Sequence, residues 1–203
     1  MSAPKIEKNM QLWDSVSETD PETTRRVTQR GGFTAIDAQA QLKRATAVFG
    51  PYGQEWGIRE VQYGYVADGD AQPVEITLMA EFYYPGGAFS MSNDMKYRAG
   101  DDCRKKLLTD LRSKCLSTLG FNSDVFEGKF DDNKYVSDLK DKRGMDDTYS
   151  RAMTALCEAD SSERLDMLRE HYRKRGLSPE QVTSLDKVHD DRLKEVATGA
   201  VHD

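Results

Sequence analysis

PVEITLMAEFYYPGGAFSMSNDMKYR, residues 73–98, decides the fold of this chain. Its first half alternates. Val74, Ile76, Leu78, Ala80, Phe82 and Tyr84 fall on one side, and Glu75, Thr77, Met79, Glu81 and Tyr83 on the other. A period of two marks a strand with one buried face. Pro85-Gly86-Gly87 is a turn, because proline presets its own φ and glycine accepts the left-handed conformations of a tight reversal. The alternation then resumes, with Phe89, Met91, Met95 and Tyr97 on one face. The stretch reads as a β-hairpin.

The neighbours of the hairpin complete a layer. Upstream, GIREVQYGYV (57–66) reads as a third strand, separated from the hairpin by the loop ADGDAQ. Downstream, residues 101–119 form the most regular helical pattern in the chain. Cys103, Leu107, Leu111 and Cys115 recur every four positions, Leu108, Leu116 and Leu119 widen the stripe, and Gly120 ends it. Such a helix spans roughly 30 Å, enough to cross a small sheet. The expected class is α+β: an antiparallel sheet of three or more strands packed on a long helix.

Further out the signals are softer. A helix is expected from about Thr34, with Asp37 three residues later as a weak capping box and Gly50-Pro51 as the stop. Ile36, Ala40, Ala47 and Val48 are its expected buried stripe, with Lys43 and Arg44 to one side. Residues 1–32 read as a polar arm whose one large apolar anchor is Trp13. Residues 33–140 read as the main domain, and 141–203 as a charged helical appendage. There, KDKRGMDD (140–147) is the expected linker. Helical patterns follow near 146–158, 161–175 and 178–197, with Ser178-Pro179-Glu180 as a helix start and Leu165, Leu168 and Leu177 as modest anchors.

Composition narrows the chemistry. The chain has 203 residues and a net charge of -6, which argues against coating nucleic acid through bulk charge but leaves room for a local basic groove. No stretch reaches the roughly 18 apolar residues of a membrane helix, and the opening MSAPKIEKNMQLW has no signal-peptide run, so the expected compartment is the cytoplasm. Cys103, Cys115 and Cys157 lack C-x-x-C spacing and read as reduced core residues. His171, His189 and His202 all lie in the last third, so the first 170 residues hold no His-dependent nucleophile or His metal site. The phosphate-cradle motif G-x-x-x-x-G-K-[ST] is absent. No catalytic residue, metal site or cofactor is assigned. The enzymatic alternative is a magnesium-dependent nuclease using Asp101, Asp102 and Asp110 with Glu75 and Glu81, although the first two also read as residues facing a helix N-terminus.

Two windows break the acidic average. Residues 25–44 hold Arg25, Arg26, Arg30, Lys43 and Arg44 against Asp37. Residues 96–115 hold Lys96, Arg98, Arg104, Lys105, Lys106, Arg112 and Lys114 against Asp101, Asp102 and Asp110. A phosphate strand needs cations spaced along a track, and a hairpin rim followed by a helix supplies one. The same windows also read as solvated faces. Tyr63, Tyr65, Tyr83 and Tyr97 either pack the sheet or stack on bases; Tyr83 and Tyr97 are the stacking candidates.

GGFTAIDAQAQLKRATAVFGPYGQEWGI, the hairpin and DDCRKKLLTDLRSKCLSTLG together resemble the annealing domain of the Rad-fifty-two superfamily, most closely its phage-encoded single-strand annealing proteins. Ile36, Ala45, Phe49, Gly50, Gly53 and Trp56 match one family motif; Arg104, Lys105, Thr109, Asp110 and Gly120 match a second. The likeness covers about residues 30–140. It implies a β-β-β-α fold assembling into homo-oligomeric rings or filaments, with single-stranded DNA held backbone-inward so that bases stay free to pair. ATP is not expected to be used. Implied phosphate contacts are Lys43, Arg44, Lys96, Arg98, Arg104, Lys105, Arg112 and Lys114, with Lys43 and Arg44 alternatively bridging protomers. The family's inner basic pair falls on Ser113 and Lys114, and a further family arginine on Ser117. A host single-strand-binding protein or a phage exonuclease is an implied partner, and the compartment becomes the bacterial host's cytoplasm. The rival reading is a scaffold of the same fold that does not anneal.

Overall fold

The computed structural model describes residues 3–29, 32–67, 69 and 73–198. Arg30, Gly31, His202 and most of the ADGDAQ loop (68 and 70–72) lie outside the described residues. The chain divides into two compact units, Met1–Asp132 and Asn133–Asp203. The first contains α1 (Ala3–Val16), β1 (Thr24–Val27), β2 (Phe33–Ile36), α2 (Ala38–Phe49), β3 (Gly57–Ala67), β4 (Pro73–Tyr84), β5 (Gly87–Lys96), α3 (Cys103–Thr118) and α4 (Ser123–Phe126). The second contains α5 (Asn133–Cys157), α6 (Ser162–Arg173) and α7 (Pro179–Ala197).

The alternation of 73–98 becomes a sheet of order β3-β4-β5, antiparallel throughout. Tyr84 faces Gly87 across the turn and Glu75 faces Lys96 at the far end. Ile76, Leu78, Ala80 and Phe82 are buried on one face of β4, where α3 packs with Cys103, Leu107, Leu111 and Cys115. Full burial of each leucine stabilises the layer by on the order of 2 kcal/mol. The other face of the sheet stays open, and Met79 at its centre is 53% exposed. The third strand carries a bulge between Arg59 and Gln62, where Glu60 takes a positive φ of 54°.

Gly50 ends α2 at φ 101°, and the chain turns back to deliver Trp56 into the core. The indole is fully buried and donates to the Gly50 carbonyl at 3.0 Å. Its ring meets Tyr52 edge-on at 4.9 Å and lies 6.0 Å from both Phe49 and Phe82. The Phe-Gly…Trp spacing thus builds an aromatic hub between α2 and the sheet.

Four expectations need correction. Residues 33–36 are a strand paired with 24–27, and α2 begins at Ala38, capped by the Asp37 carboxylate accepting from the amides of Gln39 (2.7 Å) and Ala40 (2.9 Å). The buried stripe of α2 is Gln41, Ala45 and Phe49, while Val48 is 44% exposed. Phe49 in the hub and Gln41, which donates to Asn122 at 3.2 Å, set that rotation. The expected linker KDKRGMDD is helical within α5: its lysines, arginine and methionine are good helix formers, and a single glycine, Gly144, costs only about 1 kcal/mol. Cys157 is exposed at the end of α5, whereas Cys103 and Cys115 are buried as expected.

The polar first segment is bound into the first unit. Val16 is buried, its carbonyl accepts from Asn122 N at 3.1 Å, and Thr19 N donates to Asp124 at 2.8 Å. In the second unit, Ala152, Leu156, Ala159, Leu165 and Leu185 form a core joined by Leu168 and Leu177. Ser178 and Gln181 complete a capping box at the start of α7. Among the described residues no helix is long and apolar enough to cross a membrane.

Candidate nucleic-acid interface

The start of α3 meets the helix-facing side of β3. Tyr63 pairs across the ladder with Leu78 and Tyr65 with Ile76, so both tyrosines lie on the face that α3 covers. Arg104, in the first turn of α3, donates to the Tyr65 hydroxyl from Nε (3.0 Å) and Nη2 (2.8 Å). Its guanidinium carbon sits 5.3 Å from the Tyr63 ring centre and 5.9 Å from that of Tyr65. The hydrogen bond to the Tyr65 hydroxyl raises the Arg104 pKa further above its ordinary value, with Tyr63 and Tyr97 adding smaller contributions. Tyr97 meets Tyr65 edge-on at 5.7 Å. The result is an exposed cation held in a fixed place by aromatic rings.

Two adjoining clefts open here. One, of about 410 Å³, is bounded by Tyr65, Ile76, Tyr97, Arg104 and Lys105, together with Asp101 and Asp102. The other, of about 440 Å³, runs along α3 past Asp102, Lys105, Lys106, Thr109, Asp110 and Ser113 to Ala38 at the start of α2. Lys105 and Asp102 belong to both. Asp102 makes no side-chain cap bond, so the first amides of α3 have no side-chain acceptor from the N-cap. Lys106 is tied to Asp101, whose carboxyl the Lys106 hydrogen bond holds below its ordinary value.

The other expected contacts are dispersed. Lys43 is exposed on α2. Arg44 is turned inward and donates to the carbonyls of Ser15 (3.0 Å) and Glu18, tying α2 to the end of α1. Lys96 ends β5 opposite Glu75, on the open face of the sheet, and Arg98 is exposed in the following loop. Arg112 is half-buried. Lys114 pairs with Asp110 at 3.3 Å and also bonds Asn93. Tyr83 and Tyr97 do not share a surface: Tyr83 lies on the open face under Arg59 (5.1 Å).

The carboxylates of the nuclease reading are likewise separated. Glu75 and Glu81 lie on the open face, Glu81 paired with Arg59, while Asp101, Asp102 and Asp110 belong to the α3 side. Among the described residues no group of three His, Cys, Asp or Glu side chains is placed to hold a metal. Sequence reasoning missed Asn93, a polar residue at an inward position between Met91 and Met95 that is only 6% exposed. Its interruption of the apolar alternation was the available signal.

No protein-family model and no curated protein matches the chain.

Proposed function

We propose that this protein binds single-stranded DNA by its phosphates and anneals complementary strands without ATP, as a homo-oligomer of the Rad-fifty-two annealing type. The observation that carries the reading is the corner where Arg104 is fixed over Tyr63 and Tyr65 and, with Lys105 and Tyr97, borders two adjoining clefts. A guanidinium immobilised by aromatic rings meets phosphate with little further ordering cost, and the rings offer π-faces for bases. Contacts to phosphate carry no sequence information, which is what annealing of arbitrary strands requires. Three paired strands followed directly by α3 also support the resemblance in residues 30–140.

Because the whole chain carries a net charge of -6, binding depends on local cations and weakens steeply with salt. The test mixes two complementary labelled oligonucleotides with the full-length protein in chelator and without ATP. Faster duplex formation than in its absence is expected, together with an oligomer visible by negative-stain microscopy. Binding or annealing that fails at low salt leaves the scaffold reading, and cleavage restored by magnesium leaves the nuclease reading.

A further inference from the structure

Resting on that reading, we propose that phosphate is held on the Lys105–Arg112 side of α3, and that Lys114, where the family's inner cation falls, is instead a clamp that positions the helix on β5. The two sides are distinct. Arg112 and Lys114 are two residues apart, about 200° around the helix, so they cannot serve one groove. Lys105 and Arg112 are seven residues apart. They stand within about 20° of one line and roughly 10 Å apart along the axis.

Three contacts define the clamp. Asn93 of β5 donates from Nδ2 to Asp110 Oδ2 at 2.7 Å. Lys114 donates to Asn93 Oδ1 and lies 3.3 Å from the same Asp110 carboxylate. The ring of three side chains satisfies the amide of Asn93, which is 6% exposed. A phosphate drawing Lys114 away would leave that buried amide oxygen unpaired, a loss that costs more than a single exposed contact returns. It would also approach the Asp110 carboxylate and be repelled by it. Lys114 keeps 52% of its side chain open, so its charge is reachable; its neighbours are what disfavour an anion.

The opposite side has no buried amide that depends on a cation, although Asp110 also borders the larger cleft there. Lys105 lines both clefts, Arg112 lies on the same line along α3 but outside their linings, and neither forms an ion pair among the described residues. Arg104, already ordered on Tyr65, stands at the same end of the helix. Asp102 lines both clefts, Asp101 one and Asp110 the other, so the track accepts a strand through spaced contacts without becoming a uniformly positive trough.

The experiment measures oligonucleotide affinity against salt for the full-length protein and for Lys105→Met, Arg112→Met and Lys114→Met, with thermal melting of each. A contact to single-stranded phosphate contributes about 0.7 to the slope of log K on log salt. Lys105→Met and Arg112→Met are expected each to lower the slope by about that amount and weaken binding several-fold, with melting unchanged. Lys114→Met is expected to keep the slope while melting lower, and Lys114→Arg to recover the melting. A slope lost in Lys114→Met, or kept in both other variants, overturns the clamp while wild-type binding keeps the broader reading alive. Absence of wild-type binding overturns both.

Discussion

The indole of Trp13 lies so close over Gly120 that a Cβ on residue 120 would stand 2.6 Å from Trp13 Cδ2. Gly120 also holds φ +96°, a conformation that other residues adopt only with strain. The residue that ends α3 is therefore the seat of α1. Gly120→Ala adds left-handed strain to a clash with a ring, together about 3 kcal/mol. The expected result is a melting temperature lower by roughly 10 °C and increased exposure of Trp13 by fluorescence quenching. Unchanged melting would mean that α1 does not dock as described.

A buried carboxylate holds the same joint from the other side. Asp124, 2% exposed, accepts from Thr19 N (2.8 Å), from the Thr19 hydroxyl and from Val125 N (2.9 Å). Asn122 donates to Thr19 Oγ1 at 2.9 Å and accepts from Gln41, which extends the network to α2. Asp124→Ala strands buried donors and is expected to cost about 3 kcal/mol, whereas Asp124→Asn keeps an acceptor and costs about half as much. Denaturant unfolding with an unchanged m-value checks the order of the two variants.

The sheet and α3 were readable because their buried positions repeat without interruption and carry large side chains. Helix α2 was not. Ala38 and Ala45 lie on one side and Ala40 and Ala47 on the opposite side, so the alanines alone select no face. Its rotation is set by Phe49 meeting Trp56 and Gln41 meeting Asn122, contacts made after the chain has folded back. The hairpin of β1 and β2 was missed because its four-residue strands include two arginines and are too short to show alternation. At the candidate site the cations were visible as residue types, but their engagement was not. Arg44 finds carbonyls at Ser15 and Glu18, and Lys114 finds Asn93, through tertiary contacts that residue spacing does not encode. The charged stretch 140–147 was misread because charge marks exposure, which a solvated helix face and a linker share.

Acid is expected to loosen α6 from α7. Asp186 accepts from Arg169 at 2.8 Å and from Arg173. Burial works to raise its carboxyl, and the hydrogen bonds from Arg173 and Arg169 outweigh it, holding it below the ordinary carboxylate value. Asp190 is lowered as well, chiefly by the hydrogen bond with His189. A carboxyl lowered in this way stabilises the folded form fully above about pH 4, and the contribution is lost as pH falls through its folded value. Amide exchange of residues 165–193 in the full-length protein should therefore quicken as pH falls below about 4, after correction for intrinsic rates. Asp186→Asn should flatten that dependence and cost about 1–2 kcal/mol at neutral pH, an allowance reduced for the partly exposed Arg173. A variant with the wild-type pH profile would show that the Arg169–Asp186–Arg173 bridge does not join the two helices.

The three thiols should separate cleanly by reactivity. Cys157 is exposed at the end of α5, while Cys103 and Cys115 are 3% and 0% exposed on the sheet-facing side of α3. The Cys103 thiol donates to the Arg98 carbonyl at 3.7 Å, and Cys115 Sγ lies 3.6 Å from Met91 Sδ. Burial pushes the Cys115 pKa up to about 11. At pH 8 such a group is thiolate to about one part in a thousand, and the thiolate is the attacking form. A disulfide reagent added to the native protein should therefore react with one thiol per chain within minutes, and with none in Cys157→Ser. All three should react in denaturant. Any rapid thiol in native Cys157→Ser would mean that α3 leaves the sheet far more often than its packed Leu107 and Leu111 allow.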